Sequence, residues 1–464
     1  MTGAPETAGE TSRIESPSQG KESGKGFERA FYIAQTASFT NSVGTRCGQL
    51  AIAWWILSAS GSPALFAAFS ALGTAAEVLS RGIFGWFGDR FPPERIIKLC
   101  YSIDFFTIGT LVVLHTAHIY QPYMLAVCLL VLGICNGIRE PLQNTLIKNL
   151  VPEEQIVDAI RRRSGVKSSS SLVGPVVGGI LLALFNIGGS LVVNFLAVTA
   201  SVVSMWFVAT RPTARAHSIP GAFIRSWYNG TKSGFVALAK VKSEFHLSLI
   251  VFGVNLSLYP MFAVLIPSLV NQHFPRFPWL IGVLEGAFAV GLLVGSFGAV
   301  GRVTDFLGRR LAVFVGFALS GTAMIATGII GTVASGNVAA VISSTPAFLV
   351  AGGIGLTMVT INTGTVRMLA SPGEMRNRIG SSVAFLSGMA VPLGTLLGGF
   401  LAGAIGGEFA MTILGFNILA VSFVASKSKD LRNILGMPDA ELPGAYQRIY
   451  PSAFSAEMGP SREV

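Results

Sequence analysis

GWFGDRFPPER, from Gly85 to Arg95, and GRVTDFLGRR, from Gly301 to Arg310, are two versions of one short loop, and their repetition decides the fold. Each sets a glycine four residues before an aspartate, Asp89 in the first and Asp305 in the second. Arginines follow: Arg90 and Arg95, then Arg309 and Arg310. Each loop lies between two long apolar segments. Glycines here let helix ends come close, the aspartate can cap a helix N-terminus, and the arginines stay at the headgroup surface. Such a loop can open and re-form as a latch. Farther out, Asn144-Thr145 is echoed by Asn362-Thr363, and GPVVGG (Gly174 to Gly179) by GTLLGG (Gly394 to Gly399). The three matches lie 216, 218 and 220 residues apart. So steady an offset predicts an internal duplication: two six-helix bundles in the same orientation, with a cavity between them.

The composition agrees. Only 12% of the 464 residues are charged and 51% are hydrophobic, with a mean hydropathy of +0.62. That leaves too little polar surface to coat soluble domains of this length. A net charge of +10 would suit nucleic acid, but the cations fall in short loops between apolar runs, where they orient a membrane protein. Nucleic acid is therefore excluded as a partner. Cys47, Cys100, Cys128 and Cys135 form no CxxC or Cys/His pattern, so neither disulfides nor a bound metal is expected.

Twelve spans are expected, near 31–57, 64–87, 96–115, 123–147, 168–187, 190–209, 247–270, 279–300, 311–332, 344–366, 380–403 and 408–425. Loop charge alternates along them. Arg90, Arg95, Lys98, Lys148, Arg161, Arg162, Arg163, Arg309, Arg310, Arg367, Arg376 and Arg378 fall on one side. The loops at 58–64, 184–190 and 331–337 on the other carry no Lys or Arg. The positive-inside rule places both termini in the cytoplasm, and a bacterial inner membrane is the expected location. The expected domains are a disordered cytoplasmic tail over 1–28, an N-terminal bundle over 29–210, a cytoplasmic linker over 211–246, a C-terminal bundle over 247–426 and a cytoplasmic tail over 427–464. Linker residues Phe223, Ile224, Trp227 and Tyr228 stand beside basic residues and suit either the inner lipid surface or a plain solvated linker.

Ionisable residues at membrane depth are costly and are candidates for function. Glu77 and Arg81 are four apart on the second span, and with Arg139 and Glu140 on the fourth they suggest a charge cluster toward the cytoplasmic side, functional or a fixed ion-pair lattice. Arg46 and Asp104 stand deeper. They can pair with each other, or Arg46 can hold an anionic substrate by its planar fork while a desolvated Asp104 exchanges protons. In the second half Glu285 is the clear intramembrane acid, with Asn255, Tyr259 and Asn362 as its expected polar partners. Trp54 and Trp55 can stack a ring-bearing ligand or anchor the chain at an interface. In GPVVGG, small residues allow tight helix contact, and Pro175 between Gly174 and Gly179 lets the helix kink. No GxxxxGK[ST] loop, HExxH pair or reactive Ser/His arrangement is present, so no enzyme is expected, no cofactor, and no drive from nucleotide hydrolysis.

With its duplicated GxxxD loops, the chain resembles the major facilitator superfamily over nearly its whole length. The resemblance implies that Asp89 and Arg90, with Asp305 and Arg309, lock the cytoplasmic side in the outward-facing state. GPVVGG resembles the Gly-Pro element of that superfamily's exporters. IAWWILSASGSPA (Ile52 to Ala64) and PLQNTLIKNLVPEEQIVDA (Pro141 to Ala159) resemble the branch containing the enterobactin exporter and the macrolide efflux proteins. Where that branch commonly has an acidic residue just after the glycine matching Gly44, this chain has Thr45 and then Arg46.

The expected protein is a monomeric, all-α, lipid-embedded secondary transporter that exports a small organic molecule against protons by alternating access. A siderophore comes first as cargo, because Arg46 suits an anion, and a drug or macrolide second. Proton-coupled import of a siderophore or nutrient, lysophospholipid movement and a non-transporting receptor are the alternatives.

Overall fold

In a computed structural model, residues 18–84, 91–152, 155–208, 232, 234–296, 300–334 and 336–454 are described, and all their regular structure is helical. Gly85, Asp89 and Arg90 of the first loop lie outside the described residues, as does most of the expected linker.

Four helices open the chain: α1 (Ser18–Ser60), α2 (Pro63–Ile83), α3 (Pro93–Thr116) and α4 (Pro122–Leu150). Helix α1 thus begins inside the segment expected to be a disordered tail. Proline in the first turn of α2, α3 and α4 starts each where a backbone N–H has no helical partner to lose. Next, α5 (Ile156–Trp206) is two rods joined at Asn186, whose φ of 56° and ψ of −165° break the helix. Asparagine tolerates that sign of φ better than most side chains. The chain doubles back there. Arg46 and Cys47 of α1 face Gly174 and Gly178 on the first limb, while Gly44 and Gly48 face Asn194 on the second.

The second half begins with α6 (Lys242–Pro260), which runs through a π-helical turn (Met261–Leu265) into α7 (Ile266–His273). Pro260 inside the helix accounts for the turn. There follow α8 (Trp279–Val294), α9 (Val300–Leu307), α10 (Arg309–Val333), α11 (Val338–Ala370), α12 (Gly373–Ile405) and α13 (Gly407–Lys427). Two short helices, α14 (Lys429–Gly436) and α15 (Ala445–Ile449), close the chain. Among the described residues nine helices are long and apolar enough to cross a membrane, Val173–Trp206 and Lys242–His273 among them, and Trp279–Val294 is a shorter apolar helix.

Packing separates the halves. Helix α1 lies on α5, α2 on α4, and α3 on both α4 and α5. In the second half α10 lies on α11 and α13, α12 on α6, and α8 on α11. Two seams join the halves, α2 against α12 and α5 against α8. In lipid, helices gain little from apolar burial alone, so close contact relies on small residues, and the duplicated glycine motif supplies them at both seams. A Cβ on Gly179 would come within 2.7 Å of the Gly282 Cα, and one on Gly399 within 1.9 Å of the Ala67 Cβ. Gly179 and Gly399 are the equivalent last glycines of GPVVGG and GTLLGG. Both crossings lie at the end of the bundles away from the duplicated loops, where Leu50 of α1 also joins the core of the second half.

Candidate functional site

Adjacent residues on a helix point about 100° apart, and α4 uses this to serve two ionic groups. Arg139 turns inward and Glu140 turns toward α2 and α5.

Arg139 is buried and donates to the buried Asp104 carboxylate on α3 and to Asn136. Its guanidinium stands 4.6 Å from the centre of the Tyr101 ring. The second carboxylate oxygen of Asp104, Oδ1, is buried and reached by no N–H or O–H donor, with the Cys135 thiol beside the carboxylate. Asp104 therefore pairs with Arg139 and not with Arg46, which removes the first of the two alternatives for these residues. It also takes Arg139 out of the expected cluster with Glu77, Arg81 and Glu140.

The other three members do meet. Arg81 bonds Glu77 at 2.7 Å and Glu140 at 2.5 Å, and Glu140 also accepts from Lys167 of α5. The approach is possible because Gly137 faces the backbone of Glu77, where a Cβ would come within 2.3 Å of the carbonyl oxygen. Arg163 extends the network to the Glu140 carbonyl and, at 3.0 Å, to Gln143, which donates to the Tyr101 hydroxyl at 3.4 Å. Lys167 and Gln143 escaped sequence reading because neither stands out within its own segment.

Arg46 is exposed, and its Nη1 donates to Gln49 at 3.2 Å. The stem lies over Gly174, where a Cβ would be 2.8 Å from the arginine Cγ. Thus the first glycine of GPVVGG seats Arg46 and the last seats α8. Glu285 is half-buried on α8, three residues beyond Gly282, with no hydrogen bond or ion pair among the described residues. Tyr259 is 47% exposed.

Two of the expected partners of Glu285, Asn255 and Asn362, are bonded elsewhere. Asn255 donates to the Ser387 carbonyl at 3.2 Å, and Asn362 to Thr304 at 3.0 Å and the Met358 carbonyl at 2.9 Å. Asn362 thus braces the second duplicated loop. Trp55 is buried edge-on to His115, ring centres 5.0 Å apart, and Trp54 packs on the core of the second half. Neither is set out as an open stacking face.

In the second duplicated loop, Gly301 and Asp305 are exposed. Arg309 is turned to the C-terminal segment: it donates to the Met437 carbonyl at 3.0 Å and pairs with Asp439. Nearby, Glu244 is fully buried, bonded by Arg367 at 2.6 Å and by the Tyr446 hydroxyl. Burial and the Glu244 charge raise the Tyr446 phenol well above its ordinary value. All four cysteines are free and buried, and no group of three metal-ligating side chains occurs among the described residues.

The Major Facilitator Superfamily model matches residues 36–371. Macrolide efflux protein A of Streptococcus pyogenes is 22% identical over 409 residues, covering 87% of this chain and 97% of that protein. Its namesake in Enterococcus faecalis is 24% identical over 209 residues, 45% of this chain and 63% of that protein. Among solved structures, a bacterial homologue of the iron transporter ferroportin in an inward-facing state superposes with a TM-score of 0.66 at 16% identity, over 88% of this chain and 99% of that one. A bacterial homologue of the human lysosomal transporter Spinster, inward-facing and unoccupied, gives 0.64 at 14%, over 92% and 98%. At such identities these two report the fold.

Proposed function

Because the chain belongs to the major facilitator superfamily, we propose that it is a proton-coupled exporter of amphiphilic drug-like molecules that works by alternating access. The coarser statement needs no proposal: this is an integral membrane transporter of small molecules and not an enzyme. The macrolide efflux relatives support export and move drug-like cargo ahead of the siderophore that Arg46 first suggested.

The observation that carries the coupling is the Asp104–Arg139 pair, a buried ion pair at membrane depth in the first half, whose carboxylate has only the Cys135 thiol as a further neighbour. A carboxylate so placed can take a proton only by giving up part of its hold on Arg139. Proton occupancy would then be felt directly by α3 and α4. Substrate would enter from the side of the duplicated loops while the Gly179–Gly282 and Gly399–Ala67 crossings keep the other end closed. GPVVGG, which forms one of these crossings, stands at the seam where an exporter must open.

The rest of the reading follows. Twelve spans result when the two limbs of Val173–Trp206 are counted separately and α1 and α8 are added to the long apolar helices. The bundles run over 29–210 and, from the start of α6, 242–426, joined by a linker over 211–241, with both tails cytoplasmic in a bacterial inner membrane and a monomer surrounded by lipid.

Everted membrane vesicles loaded by respiration test it. The intact protein should accumulate a macrolide, and collapse of the proton gradient should stop it. Asp104→Asn should abolish gradient-driven accumulation and Asp104→Glu restore part of it. Accumulation that survives gradient collapse, or that Asp104→Asn leaves intact, would sink the coupling.

A further inference from the structure

We propose that His273 and Glu408 form a second proton site, open to the external side, and that the proton they share fastens the external end of the second bundle. This rests on the alternating-access reading and the membrane orientation given above, and it adds to Asp104 a group that the proton meets from outside.

Glu408 lies in the first turn of α13, and its side chain is only 9% exposed. Glycines build its seat. A Cβ on Gly331 of α10 would lie 3.1 Å from its Cγ, one on Gly406 3.3 Å from its Oε2, and one on Gly328 2.5 Å from its carbonyl oxygen. The first turn of a helix favours an ionised carboxylate. Against it stands the last residue of α7: His273 Nε2 is 2.5 Å from Oε1. The contact is not an aligned hydrogen bond, since Oε1 accepts none. The imidazole is 31% exposed, so water can reach the pair from the histidine side.

Of the elements packed nearby, α1, α10 and α12 carry no charged side chain at this end. Helix α8 carries Glu285 about two turns in from its start, and the loop before α8 carries the exposed Arg276. His273 therefore decides whether Glu408 is compensated. A buried carboxylate left without its cation is costly, and imidazole is the side chain that gains and loses its charge between about pH 5 and 8. With one proton the pair is an imidazolium against a carboxylate, and α7 is tied to α13. Without it Glu408 is a lone buried anion, and the two helix ends loosen to let water in.

The pair reaches both seams. Gly282, which meets Gly179, lies nine residues beyond His273, across the turn into α8. Gly399, which meets Ala67, lies nine residues before Glu408, across the turn out of α12. A proton arriving from outside thus fastens the connections to both places where the halves touch, and returns the carrier to its cytoplasm-facing state.

The test reads opening of the external end without any cargo. Leu50, 6% exposed and part of the core of the second half, is replaced by cysteine. Its labelling by a membrane-impermeant maleimide is followed in intact cells at an external pH of about 6 and of about 8.5. Rates are divided by those of Ala117→Cys, exposed between α3 and α4, and each variant with leucine at position 50 gives its own background. Labelling of Leu50→Cys should rise about threefold or more with pH. Adding Glu408→Gln should make it high at both values, and adding His273→Arg, a permanent cation, low at both. No rise in the parent, a rise that persists in Glu408→Gln, or high labelling in His273→Arg overturns the inference and leaves drug export standing. If Ala117→Cys is labelled only in broken cells, the orientation in the export reading is wrong and the inference falls with it.

Discussion

Gly179 of α5 and Gly282 of α8 meet backbone to backbone across the two halves of the protein: a Cβ on either would lie 2.7 Å from the Cα of the other. The equivalent glycine of the second copy, Gly399, meets Ala67 on the opposite seam. Duplication has thus produced two matching points where the halves touch most closely.

Side chains at these points should jam the seam. Gly179→Val and Gly399→Val are each expected to lower transport to below a tenth, with protein in the membrane within twofold of normal. Gly364→Ala and Gly380→Ala, whose added Cβ would meet nothing within 4 Å, should transport normally and gain up to about 1 kcal/mol in helix stability. Parallel drug accumulation and thermal unfolding measurements decide it.

The two ionic groups served by α4 should differ in their energetics. Removing one partner of the buried pair, in Asp104→Asn or Arg139→Gln, is expected to cost about 3–5 kcal/mol, and the double substitution less than either single change. The Arg81–Glu140–Lys167 group is partly exposed, with side-chain accessibilities of 43%, 31% and 66%, so Lys167→Ala should cost less than about 1 kcal/mol. Thermal stability in detergent checks both. Equal costs would mean that burial does not separate the groups.

The C-terminal segment is held to the second bundle through Tyr446 and Glu244. Tyr446→Phe removes a bond to a charged acceptor and should destabilise by about 1.5–3 kcal/mol. Because the phenol is raised above its ordinary value of 10.0 in the folded protein, its contribution is fully present below pH 10 and is lost as pH rises through the higher folded value. The Tm difference between intact protein and Tyr446→Phe should stay constant up to about pH 10 and shrink above it. A difference that grows with alkalinity would contradict this.

The duplicated loops and glycine motifs made the two-bundle fold legible, because backbone close approach restricts which residues fit and so leaves a pattern. The break at Asn186 fell in the polar stretch LFNIGGS, where a turn was expected. Side-chain partnerships left no such trace. Asp104 and Arg139 are 35 residues apart on neighbouring helices, and nothing in the sequence says that Arg139 faces inward while Glu140 does not. Helix rotation decides that. The Asn362–Thr304 bond and the capture of Arg309 by Asp439 were equally hidden, since polar α14 and α15 carry no membrane-span signal. Glu244 lay in the expected linker, yet it is fully buried because Arg367 and Tyr446 close over it.

In the proposed cycle an amphiphilic drug is exchanged for protons through Asp104. The most direct measurement of that exchange is proton movement across proteoliposomes holding the purified protein and a trapped pH-sensitive dye, followed on addition of a macrolide. Opposed movement of drug and protons, absent in Asp104→Asn and partly regained in Asp104→Glu, is the predicted result. Drug and protons moving together, or drug moving with no proton flux at all, would contradict it.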